Sequence, residues 1–355
     1  MRIAQIAPLY ESVPPQLYGG TERVVSYLTE ALVALGHEVT LFASGDSRTR
    51  ARLVAIGERA LRLQGKQITD PITHHVRLVE RVFSQAAEFD ILHFHIDFLH
   101  FPLARRGLTP TVTTLHGRLD LPDLAPLFAE FNDLPVVSIS KAQRAPLSHA
   151  CWVGTVPHGL PRGLHAFRPR SDGYLAFLGR VSPEKRVDRA IEIASRAGLP
   201  LKIAAKVDRA DRAYFNAVIR PLLTHPLVEF VGEISEAEKD SFLGRARALL
   251  FPIDWPEPFG LVMIEALACG TPVIAYGHGA VPEVLESGVT GFIVSSQEEA
   301  VQAVARVDRL SRADCRASFE KRFTARRMAK DYLALYERLR SHPPQPPTAA
   351  LRPAA

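Results

Sequence analysis

Two carboxylates eight positions apart, Glu257 and Glu265, mark the stretch best equipped for chemistry: FPIDWPEPFGLVMIEALACG, from Phe251 to Gly270. Glu257 lies in a turn with Pro252, Pro256 and Pro258. After it, Leu261, Val262, Met263, Ile264, Ala266, Leu267 and Ala268 leave no polar face. The pattern predicts a helix from about Gly260 to Cys269, buried on all sides. Gly270 is placed to cap it, with Pro272 just beyond. Glu265 is the exception in that helix. A buried carboxylate costs several kcal/mol without a partner, and no Arg or Lys lies within two turns of it. One reading is a plain loop-to-helix junction, with Glu265 satisfied by nearby backbone. The other is chemical. A helix start offers free N–H groups and the positive end of a dipole, a site for an anion. Carboxylates accept hydrogen bonds from paired hydroxyls. Together they suit a sugar joined to a phosphate.

Cations with matching positions occur earlier. The apolar run Tyr174–Gly179 is followed by Arg180-Val181-Ser182-Pro183-Glu184-Lys185. Ser182 is a good N-cap and Pro183 a good first helical residue, so a helix is predicted from there to Ala197, ended by Gly198. Arg180 and Lys185 then flank a strand-to-helix turn, where a phosphate can be held. A solvated pair of charges is the plainer alternative. Lys206 closes a predicted strand over 201–205, and Gly232 follows another over 228–231.

The first half carries histidines. His93 and His95 share one face of a predicted strand over 90–95, with Asp97 and His100 close by. A metal site is conceivable there, but binding of an acceptor at a strand's carboxyl end is the stronger reading. His74 and His75 read as surface residues. His116 ends the predicted strand Thr111–Leu115 and precedes Gly117, at a cleft edge or as a structural histidine. Gly19-Gly20 stands before an amphipathic helix over 21–35 and permits close backbone approach by a ligand.

Strands and helices alternate throughout. Strand 2–8, helix 21–35 and strand 38–43 make a βαβ unit, so the sheet is expected to be parallel and the fold α/β, doubly wound. The first turn lacks G-x-G-x-x-G, which argues against a dinucleotide oxidoreductase. Residues 45–70 give no sharp signal. A helix is expected over 71–87, further strands over 136–139 and 152–157, and a linker over 161–172. A second βα series starts at Tyr174. It includes helices over 208–223, 235–246, 297–309 and 311–339, and strands over 248–251, 272–275 and 291–294. Residues 341–355, rich in Pro and Ala, are expected to be disordered.

A chain of 355 residues makes two domains of common size. With 47% hydrophobic and 23% charged residues it is an ordinary globular composition. The net charge of +5 suits an anionic substrate, but no nucleic-acid motif accompanies it. Cys151, Cys269 and Cys315 are too irregular for a disulfide framework or a zinc site, which points to a reducing cytoplasm. The N-terminus reads as a strand, not a signal peptide. No apolar run approaches the roughly 18–20 residues needed to span a bilayer. The basic segment 316–340, with Arg322, Arg326, Arg327 and Lys330, leaves weak peripheral membrane contact open, a solvated face being the plainer reading.

Glu257-Pro258-Phe259-Gly260-Leu261, Glu265-Ala266 and Gly270-Thr271-Pro272-Val273 resemble the E-x7-E signature of retaining GT-B glycosyltransferases, family 4 (glycosyl transferases group 1). Other segments resemble that family in the expected order. They are the Gly19-Gly20 loop, Thr114-Leu115-His116-Gly117, the segment around Ser138–Ser140, Val156-Pro157-His158-Gly159-Leu160, Gly179–Arg186 and the loop 277–283. Two positions depart from it: His158 replaces the usual Asn, and Arg186 replaces a final Gly.

The resemblance covers about residues 1–340. It implies two Rossmann-like doubly wound domains facing across a cleft: an acceptor-side domain 1–165, a nucleotide-sugar domain 166–320, a helix 321–340 crossing back, and the tail 341–355. It implies a hexosyltransferase-type enzyme moving a sugar from a UDP-, GDP- or ADP-sugar to a sugar, lipid or small-molecule hydroxyl, with retention. Arg180 and Lys185 would grip the diphosphate, with Lys206 nearby. Phe259, Gly260 and Leu261 would offer amides, and Gly232 would face the base. Glu265 would take the ribose and Glu257 the sugar. His116 and Gly19-Gly20 would line the reacting face. No D-x-D triplet is present to hold a divalent ion, so no metal and no other cofactor is expected. Alternatives are a GT-B epimerase, a sugar phosphorylase, or a non-catalytic sugar-nucleotide binder.

Overall fold

The computed structural model describes residues 1–16 and 19–341. The proline-rich tail from 342 lies outside the described residues. The chain forms two compact units. Among the described residues, one is Met1–Gly159 together with Ala325–Ser341; the other is Leu160–Thr324.

Among the described residues, the first unit holds a seven-stranded parallel sheet in the order β3-β2-β1-β4-β5-β6-β7. Its strands are β1 (Arg2–Ile6), β2 (Glu38–Ala43), β3 (Arg52–Ala55), β4 (Ile91–Phe94), β5 (Thr111–Thr114), β6 (Val136–Ser138) and β7 (Trp152–Thr155). The second unit repeats the layout with six strands in the order β10-β9-β8-β11-β12-β13. These are β8 (Leu175–Arg180), β9 (Leu201–Lys206), β10 (Val228–Gly232), β11 (Ala248–Phe251), β12 (Val273–Tyr276) and β13 (Gly291–Val294). Central strands such as β4, β5, β11 and β12 are buried along their whole length. That is why they read as continuous apolar or small-residue runs rather than as alternations. In each sheet the order reverses once, between β1 and β4 and between β8 and β11. Open parallel sheets bind ligands outside the carboxyl ends of their strands at such a reversal.

The expected elements form with some changes, one of them in the helix over 208–223, which starts at Arg212 and runs through a π-helical stretch, Phe215–Ile219. Residues 45–70 contain β3 and a 3-10 helix, Leu61–Gln67, which no periodicity announced. The helix expected from Ser182 starts later. Pro183–Lys185 makes one 3-10 turn, Arg186 turns left-handed (φ 54°), and the regular helix is Val187–Ala197. A left-handed non-glycine residue costs about 1–2 kcal/mol. Here the side chain is held by a two-pronged ion pair to Asp188 (2.8 Å) and another to Asp254 (2.9 Å). The helix expected over 311–339 is two, Arg312–Arg322 and Ala325–Ser341. They are separated where Thr324 bridges Leu160 in parallel fashion. Finally, His75 is buried rather than on the surface. Its Nε2 accepts from the amide of Leu9 (3.2 Å), and its Nδ1 lies 2.9 Å from the carbonyl of Pro71.

The Ala325–Ser341 helix completes the first unit. Tyr332 and Tyr336 are among its largest fully buried side chains. Their hydroxyls reach Thr114 Oγ1 (2.8 Å) and His93 Nδ1 (2.7 Å). Arg327 donates to the carbonyls of Pro157 and His158, and Arg322 to that of Val284. Two of the four cations singled out on this basic segment are therefore engaged with protein. Arg326 and Lys330 are exposed.

Candidate functional site

In the second unit the site starts from strand ends. Arg180 closes β8 and Lys206 closes β9, and the two are register partners. Parallel neighbours thus carry both cations to one edge of the sheet. Each is held by carboxylates: Arg180 by Glu184 (2.6 Å), with Asp211 at 3.8 Å and Asp208 at 3.9 Å, and Lys206 by Asp208 (3.0 Å). Lys185, one turn beyond β8, crosses the reversal to Glu257, which follows β11. Its ammonium donates to Glu257 Oε2, which also accepts from Trp255 Nε1 (3.1 Å). The same ammonium lies 5.0 Å from the Trp255 ring centre and 5.6 Å from that of Phe251, favourable cation–π geometry. Oε1 of Glu257 has no partner among the described residues.

The turn after β11 is shaped by two glycines. Gly260 has φ 83°, and a Cβ there would stand 2.7 Å from Met263 Cε. Gly279 has φ 59°, and a Cβ there would meet the Glu257 backbone at 2.3 Å. Only glycine lets the loop 277–280 lie this close, where the amide of Ala280 donates to the Glu257 carbonyl (2.9 Å). The helix Leu261–Cys269 begins at Gly260 and ends at Gly270, left-handed at φ 83°, as the sequence predicts. Its buried residues run from Met263 to Cys269.

Glu265 is 3% exposed and accepts from Lys239 (2.9 Å), which also lies 3.2 Å from Glu236. Lys239 stands on the helix Glu236–Gly244, opened by a capping box between Ser235 and Glu238. The partner that local sequence failed to supply comes from the preceding helix. Phe259, Gly260, Leu261 and Glu265 share this helix and its entry. Gly232 stands apart, on β10 at the sheet's edge, with φ 86°. Burial pushes the thiols of Cys269 and Cys315 up to about 12, so neither is a ready nucleophile.

In the first unit the histidines gather at the carboxyl ends of β4 and β5. His93 and His95 do share a face, with ring centres 4.1 Å apart. His95 Nδ1 is 2.8 Å from His116 Nε2, and the His116 ring stacks on that of His158 at 5.3 Å. Gln5 on β1 reaches His95 Nε2 through Oε1 (2.9 Å) and Tyr336 through Nε2 (3.1 Å). His93 Nε2 meets Thr114 Oγ1 at 2.7 Å. Burial, then neighbouring imidazoles, hold His93, His95 and His158 well below the usual histidine range; burial takes His116 to about 3. The metal set that the sequence allowed is not assembled. His100 stacks on Phe94 at 3.7 Å, on the opposite face of β4, and binds Thr113 Oγ1 (2.8 Å). Gly19 precedes the helix Gly20–Ala34, and a Cβ on it would touch Pro15 at 2.8 Å. Spacing did not reveal Gln5, Lys239, Trp255, Tyr332 or Tyr336. The contacts that bring them to the site span 26 or more positions, as Lys239 to Glu265 and Tyr336 to His93 do, Trp255 excepted.

The profile of the family described as "Glycosyl transferases group 1" matches residues 166–326, and that of "Glycosyltransferase Family 4" matches residues 18–176. The chain belongs to this glycosyltransferase family. A phosphatidyl-myo-inositol mannosyltransferase of Mycolicibacterium smegmatis is 26% identical, over 92% of this glycosyltransferase and 89% of that protein. A glycogen synthase of Mycobacterium tuberculosis is 27% identical over 86% and 85%. Among solved structures, AviGT4, a glycosyltransferase of avilamycin A biosynthesis, superposes with a TM-score of 0.76 at 24% identity, covering 96% and 98%. Sucrose-phosphate synthase of Thermosynechococcus elongatus also gives 0.76, at 19% identity over 96% and 99%. The glycosyltransferase fold is thus GT-B, with two parallel-sheet α/β domains. No described helix is long and apolar enough to cross a membrane.

Proposed function

We propose that this glycosyltransferase is a retaining hexosyltransferase that needs no metal. It moves a sugar from a nucleoside-diphosphate sugar to a hydroxyl of a sugar, lipid or small-molecule acceptor in the cytoplasm. The observation that carries the reading is the set of cations at one sheet reversal, Arg180 and Lys206 on adjacent strand ends and Lys185 beside Glu257. Relatives named as mannosyltransferases and glycogen synthases support a hexosyl donor.

In this reading the donor diphosphate exchanges with Glu184 and Asp208 for Arg180 and Lys206, and with Glu257 for Lys185. Charge-assisted hydrogen bonds to phosphate are about twice as strong as neutral ones. The first amides of the Leu261–Cys269 helix add a fixed dipole where negative charge develops. Glu265 accepts from the ribose hydroxyls, and Glu257 turns Oε1 to a sugar hydroxyl. Gly232 leaves backbone open to the base. His116 and the Gly19-Gly20 loop serve the transferred sugar and the acceptor. The anomeric C–O bond to the diphosphate breaks. The acceptor oxygen bonds the same face of the anomeric carbon, and its proton passes to a leaving phosphate oxygen. No protein nucleophile is required.

A thermal-shift screen of UDP, GDP, ADP and their sugars tests the reading, since a ligand of the folded state raises Tm. One family of nucleotides should raise Tm by several degrees. No shift with any of them, at millimolar concentration, refutes the donor class. Proton NMR of the product then reports the anomer.

A further inference from the structure

The histidine cluster contains more than a wall for a substrate: its hydrogen bonds have a direction. A carbonyl oxygen only accepts, so the contact between Gln5 Oε1 and His95 Nε2 (2.9 Å) places the hydrogen on His95 Nε2. A neutral His95 then has a bare Nδ1. That lone pair faces His116 Nε2 at 2.8 Å, so the hydrogen of this bond belongs to His116 Nε2. A neutral His116 is left with a bare Nδ1, which has no partner among the described residues.

The orientation of the Gln5 amide is tied to the direction of the whole network. Its NH2 donates to the Tyr336 hydroxyl (3.1 Å), whose own hydrogen goes to His93 Nδ1 (2.7 Å). His93 Nε2–H then donates to Thr114 Oγ1 (2.7 Å), which is 2.8 Å from the Tyr332 hydroxyl. Turning the amide over would set its NH2 against the Nε2–H of His95 in this pattern. It would also leave its oxygen beside two groups that would both have to reverse. Run in either direction, the chain of bonds closes every inner contact, and the two directions differ at its end. The reversed one leaves a buried N–H on His116 Nδ1 with no acceptor among the described residues, whereas the one described leaves only an unpartnered lone pair there, and an unmet buried donor is the costlier. Neutrality is enforced by the same packing. His93, His95, His116 and His158 stand in contact, and burial depresses their basicity.

We propose that Gln5 and His95 are positioning residues that fix the tautomer of His116, so that His116 Nδ1 is a hydrogen-bond acceptor for a hydroxyl of the substrate. The inference rests on the reading that His116 meets the transferred sugar or the acceptor. The tautomer itself does not depend on that reading. Such a site discriminates by hydrogen count: a hydroxyl satisfies it, whereas a ligand presenting only a carbonyl or ether oxygen there sets two lone pairs against each other. Leaving a buried partner unmade is what gives such sites their selectivity.

The test uses the full-length protein labelled with 15N-histidine, observed by long-range proton–nitrogen correlation NMR. The His116 signals are assigned by their loss in His116→Gln. The expected pattern is a protonated Nε2 and an unprotonated Nδ1 in wild type, held across pH 6–8. A protonated Nδ1, or rapid exchange of both tautomers, overturns the proposal whatever the activity. In kinetics, His95→Leu removes the acceptor, and kcat should fall about 10- to 100-fold with nucleoside-diphosphate Kd unchanged. His95→Gln can accept at Oε1 and should recover most of the loss. Equal losses in the Leu and Gln variants, both folded by circular dichroism, would also overturn it. A fixed tautomer with unchanged kcat in His95→Leu would instead count against the placement of His116 at the sugar.

Discussion

Lys185 and Glu257 bridge the reversal of the second sheet, one from the turn after β8 and the other from the turn after β11. They are mostly buried, with side chains 18% and 11% exposed. A diphosphate and Glu257 therefore compete for one ammonium. Glu257→Gln should bind UDP or GDP as tightly as wild type or up to about 10-fold more tightly, near 1.4 kcal/mol, while transfer slows. Calorimetry with the nucleotide that the thermal screen selects decides it. Weaker binding in this variant would mean that Glu257 helps to hold the phosphate site in shape rather than competing with it.

Arg180→Ala should lose nucleotide affinity by about 10- to 100-fold, the value of a hydrogen bond to a charged group at about 1.5–3 kcal/mol. Its three acidic neighbours, Glu184, Asp208 and Asp211, would then repel the phosphate without a countercharge. Equal binding of nucleoside diphosphate by calorimetry would remove Arg180 from the site.

For Glu265→Gln, donor use should weaken by about 10- to 100-fold for the same reason. The substitution also leaves Lys239 with Glu236 as its acidic neighbour, so the variant's fold must be checked by circular dichroism. Unchanged kinetics in a folded variant would exclude the ribose role.

Acid should destabilise the first unit. His100 is fully buried, and burial pushes it down to about 3, against about 6.5 when unfolded. Its folded pKa is depressed, so the unfolded chain takes up a proton that the folded one refuses. The resulting stability is complete above pH 6.5 and is lost as pH falls from 6.5 towards 3. One unit below 6.5 the loss is about 1.4 kcal/mol for such a residue. Unfolding by urea at pH 7.5 and 5.5 should show a smaller difference for His100→Gln than for wild type. An identical difference would show that His100 is not among the residues responsible.

Activity should survive EDTA and gain nothing from manganese, because side-chain cations are assigned the task of countering the leaving phosphate. Loss with EDTA and recovery with manganese would refute the assignment.

Much of this was readable in the chain. The apolar helix 261–269 and its glycine caps are local patterns, and the alternation of strands and helices dictates a parallel α/β fold. The stop at Arg186 was not readable, since nothing in Arg itself announces a left-handed turn; its side chain there is paired with Asp188 and Asp254. Lys239 could not be assigned to Glu265 because helix packing, not spacing, joins them. The direction of the hydrogen bonds in the first unit was hidden for the same reason. It depends on Tyr336, which meets Gln5 across 331 positions of sequence.

That last separation bears on how the protein is made. The second unit begins at Leu160 and ends at Thr324, and these two residues pair with each other, so the unit's own ends are neighbours. The first unit is thus interrupted in sequence, and its helix Ala325–Ser341 is synthesised after the whole of the second unit. At about 5–20 residues per second, its sheet is translated on the order of 10 s before the tyrosines that complete its buried polar network. During that interval His93 and Thr114 lack their native hydroxyl partners. The second unit, contiguous and with its ends together, can fold first as a module and bring the closing helix back to a waiting sheet.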